Sequence, residues 1–199
     1  MENEEEKKAP LPHFIQLILK ILNSSLPFFA SSNPAEVILV HEIFKNSLKT
    51  LNKFDDTNFL PIIHQMWYPF TKQFQGSNFI ILQHSFRLLT IITSLAKDFV
   101  YHKSTACVIP TINKFLISSL NHKNVTYSQE FKLQKEILGG YGQLLIDLGI
   151  KDKMLDDIIN ILLKYKNHQN EQLADATRKS FHALSMHDPM LMKFKLFDF

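Results

Sequence analysis

The sequence is poor in cysteine and glycine, two residues that mark disulfide-bonded and turn-rich β proteins. It contains one cysteine, Cys107, and five glycines among 199 residues. One cysteine cannot form an internal disulfide, so nothing in the chain requires an oxidising compartment. The scarcity of glycine and the abundance of leucine, isoleucine, lysine and asparagine favour long helices over many short strands. We therefore expect an intracellular, all-α protein. The expected location is the cytoplasm, with the nucleus as an additional location.

Long uninterrupted apolar runs are also missing. Residues 1–8 are acidic and polar, without the basic end and apolar stretch of a secretory signal. The most apolar window, residues 79–96, contains Gln83, His84 and Arg87, whose side chains are costly inside a bilayer. These features predict neither export by that route nor a membrane-spanning segment.

Basic charge is not concentrated in any one stretch of the chain. The formal net charge is +3, and the lysines are scattered along the sequence instead of clustering with interleaved aromatic residues. Nucleic-acid-binding proteins more often show such clusters. We expect solvated helix faces and no nucleic-acid partner.

Complete catalytic and metal-binding motifs are absent as well. His41 and Glu42 begin like the HExxH motif of zinc proteases, but Lys45 occupies the position of the second histidine. The glycine-rich stretch 139–142 lies within a helical pattern and lacks the lysine and hydroxyl residue of a phosphate-binding loop. We predict no enzyme activity and no catalytic residue, cofactor, metal or small-molecule substrate.

What the sequence does contain is a series of amphipathic stretches at helical spacing. The predicted helices cover residues 12–23, 33–54, 59–74, 78–97, 104–120, 128–149, 151–166 and 171–186, followed by a short helix capped by Asp188. Taken in pairs, they repeat every roughly 45 to 48 residues, close to the HEAT/armadillo period. Residues 11–199 are thus predicted to form an α-solenoid of about four HEAT-type helix pairs plus a short C-terminal helix. Residues 1–10 are predicted to be an acidic, disordered tail.

The second helices of the last three predicted pairs carry a polar stripe, and stacking would align these stripes along one face. We predict that this face binds a protein partner, although an ordinary solvated helix face would show the same pattern. The candidate partner-binding residues are Arg87, Lys132, Glu136, Arg178 and His182.

Two further features concern the first helices of the pairs. Pro69 and Pro110 are predicted to bend the helices that contain them, because proline removes a backbone donor and clashes with the preceding turn. Trp67, the only tryptophan, is predicted to be a buried structural anchor between repeats. An exposed partner-binding hot spot is the alternative for this residue.

Three segments resemble one particular family in the same order and at similar spacing. They are Leu60–Trp67 followed by Pro69, Phe131–Gln134 leading into Ile137–Gly142, and Ala176–Phe181 followed by Leu184, Asp188 and Pro189. They are similar to the C-terminal HEAT region of the first Tel-two-interacting protein, the Tti subunit of the TTT co-chaperone complex. The similarity covers most of residues 11–195. Family members are usually several times longer, so the resemblance implies that this chain corresponds to their C-terminal part.

The resemblance implies a non-catalytic scaffold. Such proteins join a Tel-two-type protein to a second Tti subunit. With heat-shock chaperones, they support the maturation and assembly of phosphatidylinositol-3-kinase-related kinases. The partners expected from the resemblance are therefore these two subunits, the kinases and the chaperone machinery. A HEAT-type adaptor for cargo or transport is the alternative function.

Overall fold

The computed structural model describes residues 11–122, 126–190 and 192–193, of which 87% are helical and none forms a strand. The predicted all-α fold is therefore confirmed. The α-helices are α1 (His13–Ser25), α2 (Pro34–Phe54), α3 (Asp56–Lys72), α4 (Phe79–Lys103), α5 (Ile109–Ser119), α6 (Gln129–Leu148), α7 (Asp152–Lys166) and α8 (Glu171–His187). Short 3₁₀ turns follow α1 at Leu26–Ala30 and α3 at Gln73–Gln75.

A short polar side chain caps the start of each of the four second helices. The Oδ1 atom of Asn33 accepts a hydrogen bond from the backbone N–H of Ala35 at 3.0 Å, and the side chain of Ser128 accepts one from Phe131 at 3.1 Å. Each bond satisfies a donor that the first turn of a helix leaves without a partner. Gly149 ends α6 in the left-handed conformation, with φ 64°, as its position in the sequence predicts.

The helices pack as antiparallel pairs. In the third pair, the Tyr141 hydroxyl of α6 donates to Oδ1 of Asn113 in α5 at 2.6 Å, and the Gln134 amide donates to the carbonyl of Ser119 at 3.3 Å. Later residues of α5 thus face earlier residues of α6. The second helices α2, α4, α6 and α8 then lie side by side in that order. This arrangement confirms the predicted solenoid of helix pairs.

The turn between the second and third pairs differs from the prediction. If residues 79–119 formed one straight helix, Phe79 and Phe115 would lie about 54 Å apart at 1.5 Å per residue. Their ring centroids are instead 6.1 Å apart. The backbone of Lys97 has φ 31° and ψ −110°, outside the helical region, so the chain reverses there. The residues of α4 after Lys97 therefore belong to the first helix of the third pair, together with α5. This helix starts directly after Lys97 and not at residue 104 as predicted.

Pro110 lies within this first helix, next to a widened turn. The segment Ser104–Val108 forms a π-helical turn, and Pro110 is the second residue of α5 directly after it. A π turn displaces the carbonyls that the proline ring would otherwise meet, so the helical path continues past the proline. Pro69 lies inside α3, as predicted, together with Pro61.

The two layers of the solenoid are packed differently. The backbones of adjacent second helices approach closely along their lengths, whereas those of the first helices approach one another much less. In the layer of first helices, α3 packs mainly against the 3₁₀ turn Leu26–Ala30 and much less against α1. Closer spacing in one layer than in the other curves a stack of helix pairs, with the closely packed layer on the inside. The second helices therefore form the concave face.

Small residues allow the closest of these contacts, between α6 and α8. The N–H of Gly142 donates to Oγ of Ser180 at 2.8 Å, and that hydroxyl donates to the carbonyl of Leu138 at 2.5 Å. A Cβ atom at position 142 would overlap the backbone carbonyl oxygen of Ser180 and lie 2.8 Å from its Cα. At Gly139, one turn earlier, a Cβ would lie 3.9 Å from that of Ala176, an ordinary van der Waals contact.

Two stretches are long and apolar enough to cross a membrane by length and composition alone, His13–Ala30 and Phe79–Ser119. The core helix of a folded domain passes the same test. In the second stretch, the chain reversal at Lys97 divides the apolar run between two antiparallel helices. The absence of a membrane span stays a prediction.

The ends of the chain are described only in part. The predicted acidic tail, residues 1–10, lies outside the described residues. Residues 189–190 and 192–193 are helical, and the N–H of Met192 donates to the carbonyl of Asp188 at 3.2 Å. A short helix therefore follows Asp188, as predicted.

Trp67 lies in α3 and is 7% exposed. Its ring centroid lies 5.9 Å from that of Phe70, which belongs to an aromatic group with Phe29 and Phe74. The neighbouring Tyr68 is 69% exposed. The role of Trp67 as a structural anchor remains a prediction that these contacts support.

We predict that Gly142→Ala and Gly139→Ala have opposite effects on stability. The added methyl group at position 142 meets backbone atoms, which should lower the free energy of unfolding by about 1–3 kcal/mol. At position 139 the methyl group has room, and the higher helix propensity of alanine should raise the free energy of unfolding by up to about 1 kcal/mol. Urea denaturation followed by circular dichroism measures both. Equal effects of the two changes would contradict the proposed packing of α6 on α8.

We also predict that Trp67→Ala lowers the free energy of unfolding by about 3–5 kcal/mol, because it removes a large buried aromatic side chain. Tyr68→Ala is the matched control, and its exposed ring should contribute much less. Thermal denaturation compares the two variants. Unchanged melting of Trp67→Ala together with loss of partner binding would make Trp67 a hot spot instead of an anchor.

Candidate functional site

A groove of about 980 Å³ crosses the concave face between α4, α6 and α8. Its floor is formed by Gly139, Gly140, Ala176 and the ring of Phe86. A Cβ atom at Gly140 would lie 3.1 Å from the Phe86 ring, so the absence of a side chain there lets α4 approach α6. The groove therefore results from the same close packing of second helices that curves the solenoid.

Each of the three helices contributes residues at the same spacing. On all three, residues at i, i+3, i+4 and i+7 line the groove, and these positions lie on one face of a helix. Gly140 of α6 lines it in addition. They are Gln83, Phe86, Arg87 and Thr90 of α4, Lys132, Lys135, Glu136 and Gly139 of α6, and Gln172, Asp175, Ala176 and Lys179 of α8.

Arg87 and Glu136 form an ion pair at the boundary between α4 and α6. Both Nε and Nη2 of Arg87 donate to the carboxylate, the latter at 2.8 Å, and the amide of Gln83 donates to the same carboxylate. The bond to Glu136 raises the pKa of Arg87. The guanidinium group is therefore already engaged within the protein, and this polar clamp ties α4 to α6.

The lysines of the groove differ from Arg87 in having no carboxylate partner among the described residues. Lys135 donates to the neutral amide oxygen of Gln172 at 2.9 Å. Lys132 and Lys179 are exposed, and no ion pair joins either to a described residue. Four basic and two acidic side chains line the groove, which gives it a charge of +2 at neutral pH.

Only part of the candidate partner-binding set lies in this groove. Arg87, Lys132 and Glu136 line it, whereas Arg178 and His182 are exposed elsewhere on α8. Arg178 pairs with Glu171 at 2.8 Å and with Asp175. The structure therefore brings three of the five residues together, and the role of all five in binding remains a prediction.

The residues that complete the groove are not predicted from the sequence. Lys135, Lys179 and Gln172 are not among the predicted residues. The glycines at 139–142 are predicted from the sequence to allow close helix packing, which the structure shows at Gly140 and Gly142, but not to form the floor of a groove. A signal was present, because 83, 132 and 172 each begin the same i, i+3, i+4, i+7 pattern. Only the register between neighbouring helices, which depends on their contacts, shows that these patterns meet.

The polar surface continues beyond the groove onto α2. There, Glu42 pairs with Lys45 and accepts a bond from Nδ1 of His84 in α4, at 3.1 Å. The hydrogen bond from Lys45, together with the nearby His84, lowers the pKa of the Glu42 carboxyl. Charged and polar side chains thus follow the concave face from α2 to α8.

Beneath this surface, His41 of α2 is 1% exposed. Its Nδ1 lies 2.6 Å from the carbonyl of Val37, and its Nε2 lies 2.9 Å from Oγ of Ser85 in α4. A carbonyl only accepts, so Nδ1 carries the proton and Nε2 accepts from the Ser85 hydroxyl. Burial lowers the pKa of His41 to about 4, against the smaller opposing effect of the Val37 bond. His41 is therefore a neutral structural link between α2 and α4.

A family model described as the TTI1 C-terminal TPR domain matches residues 1–192. The chain belongs to this family. The resemblance found in the sequence is thereby confirmed, and the coarse role of a TTI1-like scaffold follows from it. Searches for similar curated proteins and for similar solved structures give no match.

The TTI1 family description uses the term TPR, whose repeat has about 34 residues. In this TTI1-type domain, the second helices begin at Pro34, Phe79, Gln129 and Glu171, so that the pairs repeat every roughly 42 to 50 residues. This longer repeat is close to the HEAT length. Both names describe stacked antiparallel helix pairs, and both are consistent with the fold.

The described part of this TTI1-type domain contains no group of three or more histidine, cysteine, aspartate or glutamate side chains placed to hold a metal ion. The polar groups of the groove are the Arg87–Glu136 ion pair, the Asp175 carboxylate, amides, a hydroxyl and amines. Such groups recognise polar and charged surfaces of other proteins. The arrangement of these groups is therefore suited to binding a polar or charged protein surface.

We predict that His41 makes stability depend on pH between about 4 and 6.5. Its pKa is about 4 in the folded protein and 6.5 in the unfolded chain, so the unfolded state binds the extra proton first as the pH falls. The stabilisation is complete above pH 6.5 and is lost towards pH 4, by about 3 kcal/mol at most. Urea denaturation across this range should show a weaker pH dependence for His41→Gln. Replacing the exposed His13 by Gln is the control, and an identical pH dependence of all three proteins would contradict the prediction.

Proposed function

We propose that this protein is a non-catalytic scaffold of the TTT type and that the concave face around the groove binds a protein partner. By its family, the partners are a Tel-two-type protein and a second Tti subunit. In this role it supports, with heat-shock chaperones, the maturation of phosphatidylinositol-3-kinase-related kinases in the cytoplasm and nucleus.

The observation that supports this proposal most is the match to the TTI1 C-terminal domain over residues 1–192. The geometry is compatible with it, because the groove offers polar side chains from three successive second helices on one continuous surface. Extended concave surfaces of this kind are how helical-repeat proteins bind other proteins. Fold alone would not select this pathway, so the named partners depend on the family.

Gly139→Gln tests whether the groove is the binding surface. Position 139 accepts a Cβ without a clash, so the variant should fold and place a neutral side chain over the groove floor. We expect co-purification of the Tel-two-type protein and the second Tti subunit from cells to fall by about tenfold, equivalent to about 1.4 kcal/mol.

The matched control is Ser118→Gln, which adds a side chain of the same size at an exposed position of α5, on the opposite layer. It should leave co-purification unchanged. A second variant, Arg87→Glu with Glu136→Arg, exchanges the two charges of the ion pair while allowing the pair to re-form. Undiminished recovery of both subunits with a normally folded Gly139→Gln protein would remove the groove from the proposal.

A further inference from the structure

The lining of the groove has a charge pattern that limits what it can bind. Its two carboxylates are already paired, Glu136 with Arg87 and Asp175 with Arg178. Lys132, Lys135 and Lys179 have no carboxylate partner among the described residues. A ligand in the groove therefore meets three ammonium groups that are not neutralised by the protein.

We propose that the groove binds an extended, acidic segment of a partner protein, whose carboxylates pair with Lys132, Lys135 and Lys179. This inference rests on the proposed scaffold function and adds the chemistry of the bound segment. Charge complementarity supports it, because complementary potentials steer association and suppress wrong partners. The low floor of Gly139, Gly140 and Ala176 leaves room for a peptide backbone to lie close to the helices.

The register of α6 on α8 gives the length of the bound segment. Gly142 packs against Ser180, so that Lys179 is level with residues 141–142 of α6. Lys132 lies about nine residues earlier on α6, or about 14 Å along the helix axis. Because the two lysines lie on neighbouring helices, whose axes are roughly 8–10 Å apart, the full separation of the two positions is about 16 Å. An extended chain rises about 3.3 Å per residue, so two carboxylates about four to five residues apart would span this distance. The groove should therefore prefer a segment of about five or six residues with an acidic side chain at each end.

The composition of the groove favours a peptide over a nucleic acid. Proteins that bind single-stranded nucleic acid present aromatic rings for stacking with bases. The aromatic side chain lining this groove, Phe86, is 2% exposed and packs into the floor. Without a stacking surface, three lysines alone should bind a nucleic acid weakly.

The test uses the 199-residue chain and a fluorescein-labelled peptide of eight alternating glutamate and serine residues. Fluorescence anisotropy should show binding that is at least about tenfold tighter than that of the same peptide with glutamine for glutamate. Each exposed ion pair is worth roughly 1.5- to 5-fold in affinity, so three together account for this ratio. Raising the salt concentration should weaken the binding of the acidic peptide, since exposed charges are screened beyond about 10 Å at 0.1 M ionic strength.

A charge-matched pair of variants separates the groove from the rest of the surface. Changing Lys132, Lys135 and Lys179 to glutamine should reduce the affinity for the acidic peptide about tenfold. The control changes Lys20, Lys114 and Lys153 to glutamine, which removes the same charge from exposed positions of α1, α5 and α7. The control should bind as the unchanged protein does, and an equal loss in both variants would show only a general charge effect and overturn the proposal.

Two other occupants are outcomes of the same test. Tighter binding of a twelve-residue deoxythymidine strand than of the acidic peptide would assign the groove to nucleic acid. The acidic side chains of this chain's own first residues, Glu2, Glu4, Glu5 and Glu6, are the second alternative occupant. Changing these four residues to glutamine should leave peptide affinity unchanged, and a tenfold gain would show that they, and not a partner, fill the groove.

The two proposals fail in different ways. If Gly139→Gln loses the Tel-two-type and Tti subunits but the lysine variant binds the acidic and neutral peptides alike, the scaffold function holds and the acidic ligand is wrong. If Gly139→Gln keeps both subunits, the groove is not the scaffold's binding surface.

Discussion

The contact between α6 and α8 is the constraint on which the rest of the molecule depends. Gly142 places its backbone against that of Ser180, and the serine hydroxyl links Gly142 to Leu138. No side chain larger than hydrogen fits at this point, so the separation of the two helices is fixed by backbone atoms. Because α4 also approaches α6 over Gly140, the second helices come closer together than the first helices do. The curvature of the solenoid and the low floor of the groove both follow from this spacing.

On one surface, the structure combines a polar clamp with ammonium groups that have no carboxylate partner among the described residues. Arg87, Glu136 and Gln83 satisfy one another and hold α4 to α6. The lysines around them are not used in this way. An arginine is often the first residue suspected at a protein interface, since its planar fork binds carboxylates well. In this protein the guanidinium group of Arg87 is already bonded to Glu136. The charged side chains left for a partner are the lysines, which are more flexible.

Helix periodicity and capping residues were enough to predict the fold. Asn33, Ser128 and Gly149 stand where helices begin or end, and the paired helices recur at solenoid spacing. The reversal at Lys97 was not predicted in full, because no glycine or proline marks it and the apolar pattern continues on both sides. The site was predicted in part for a different reason. Polar stripes show which face of each helix is exposed, but the meeting of Lys135 with Gln172 depends on the offset between α6 and α8, which is set by tertiary packing.

The unequal packing of the two layers also determines how the molecule can deform. A curved stack bends most easily where neighbouring elements touch least, and in this protein that is the layer of first helices. Opening or closing the arc would change distances between first helices, while backbone contact between α6 and α8 would keep the groove nearly constant in width. Elastic strain from a large bound partner would thus be taken up on the convex side. The domain could adjust its overall curvature to different assemblies and still present the same groove.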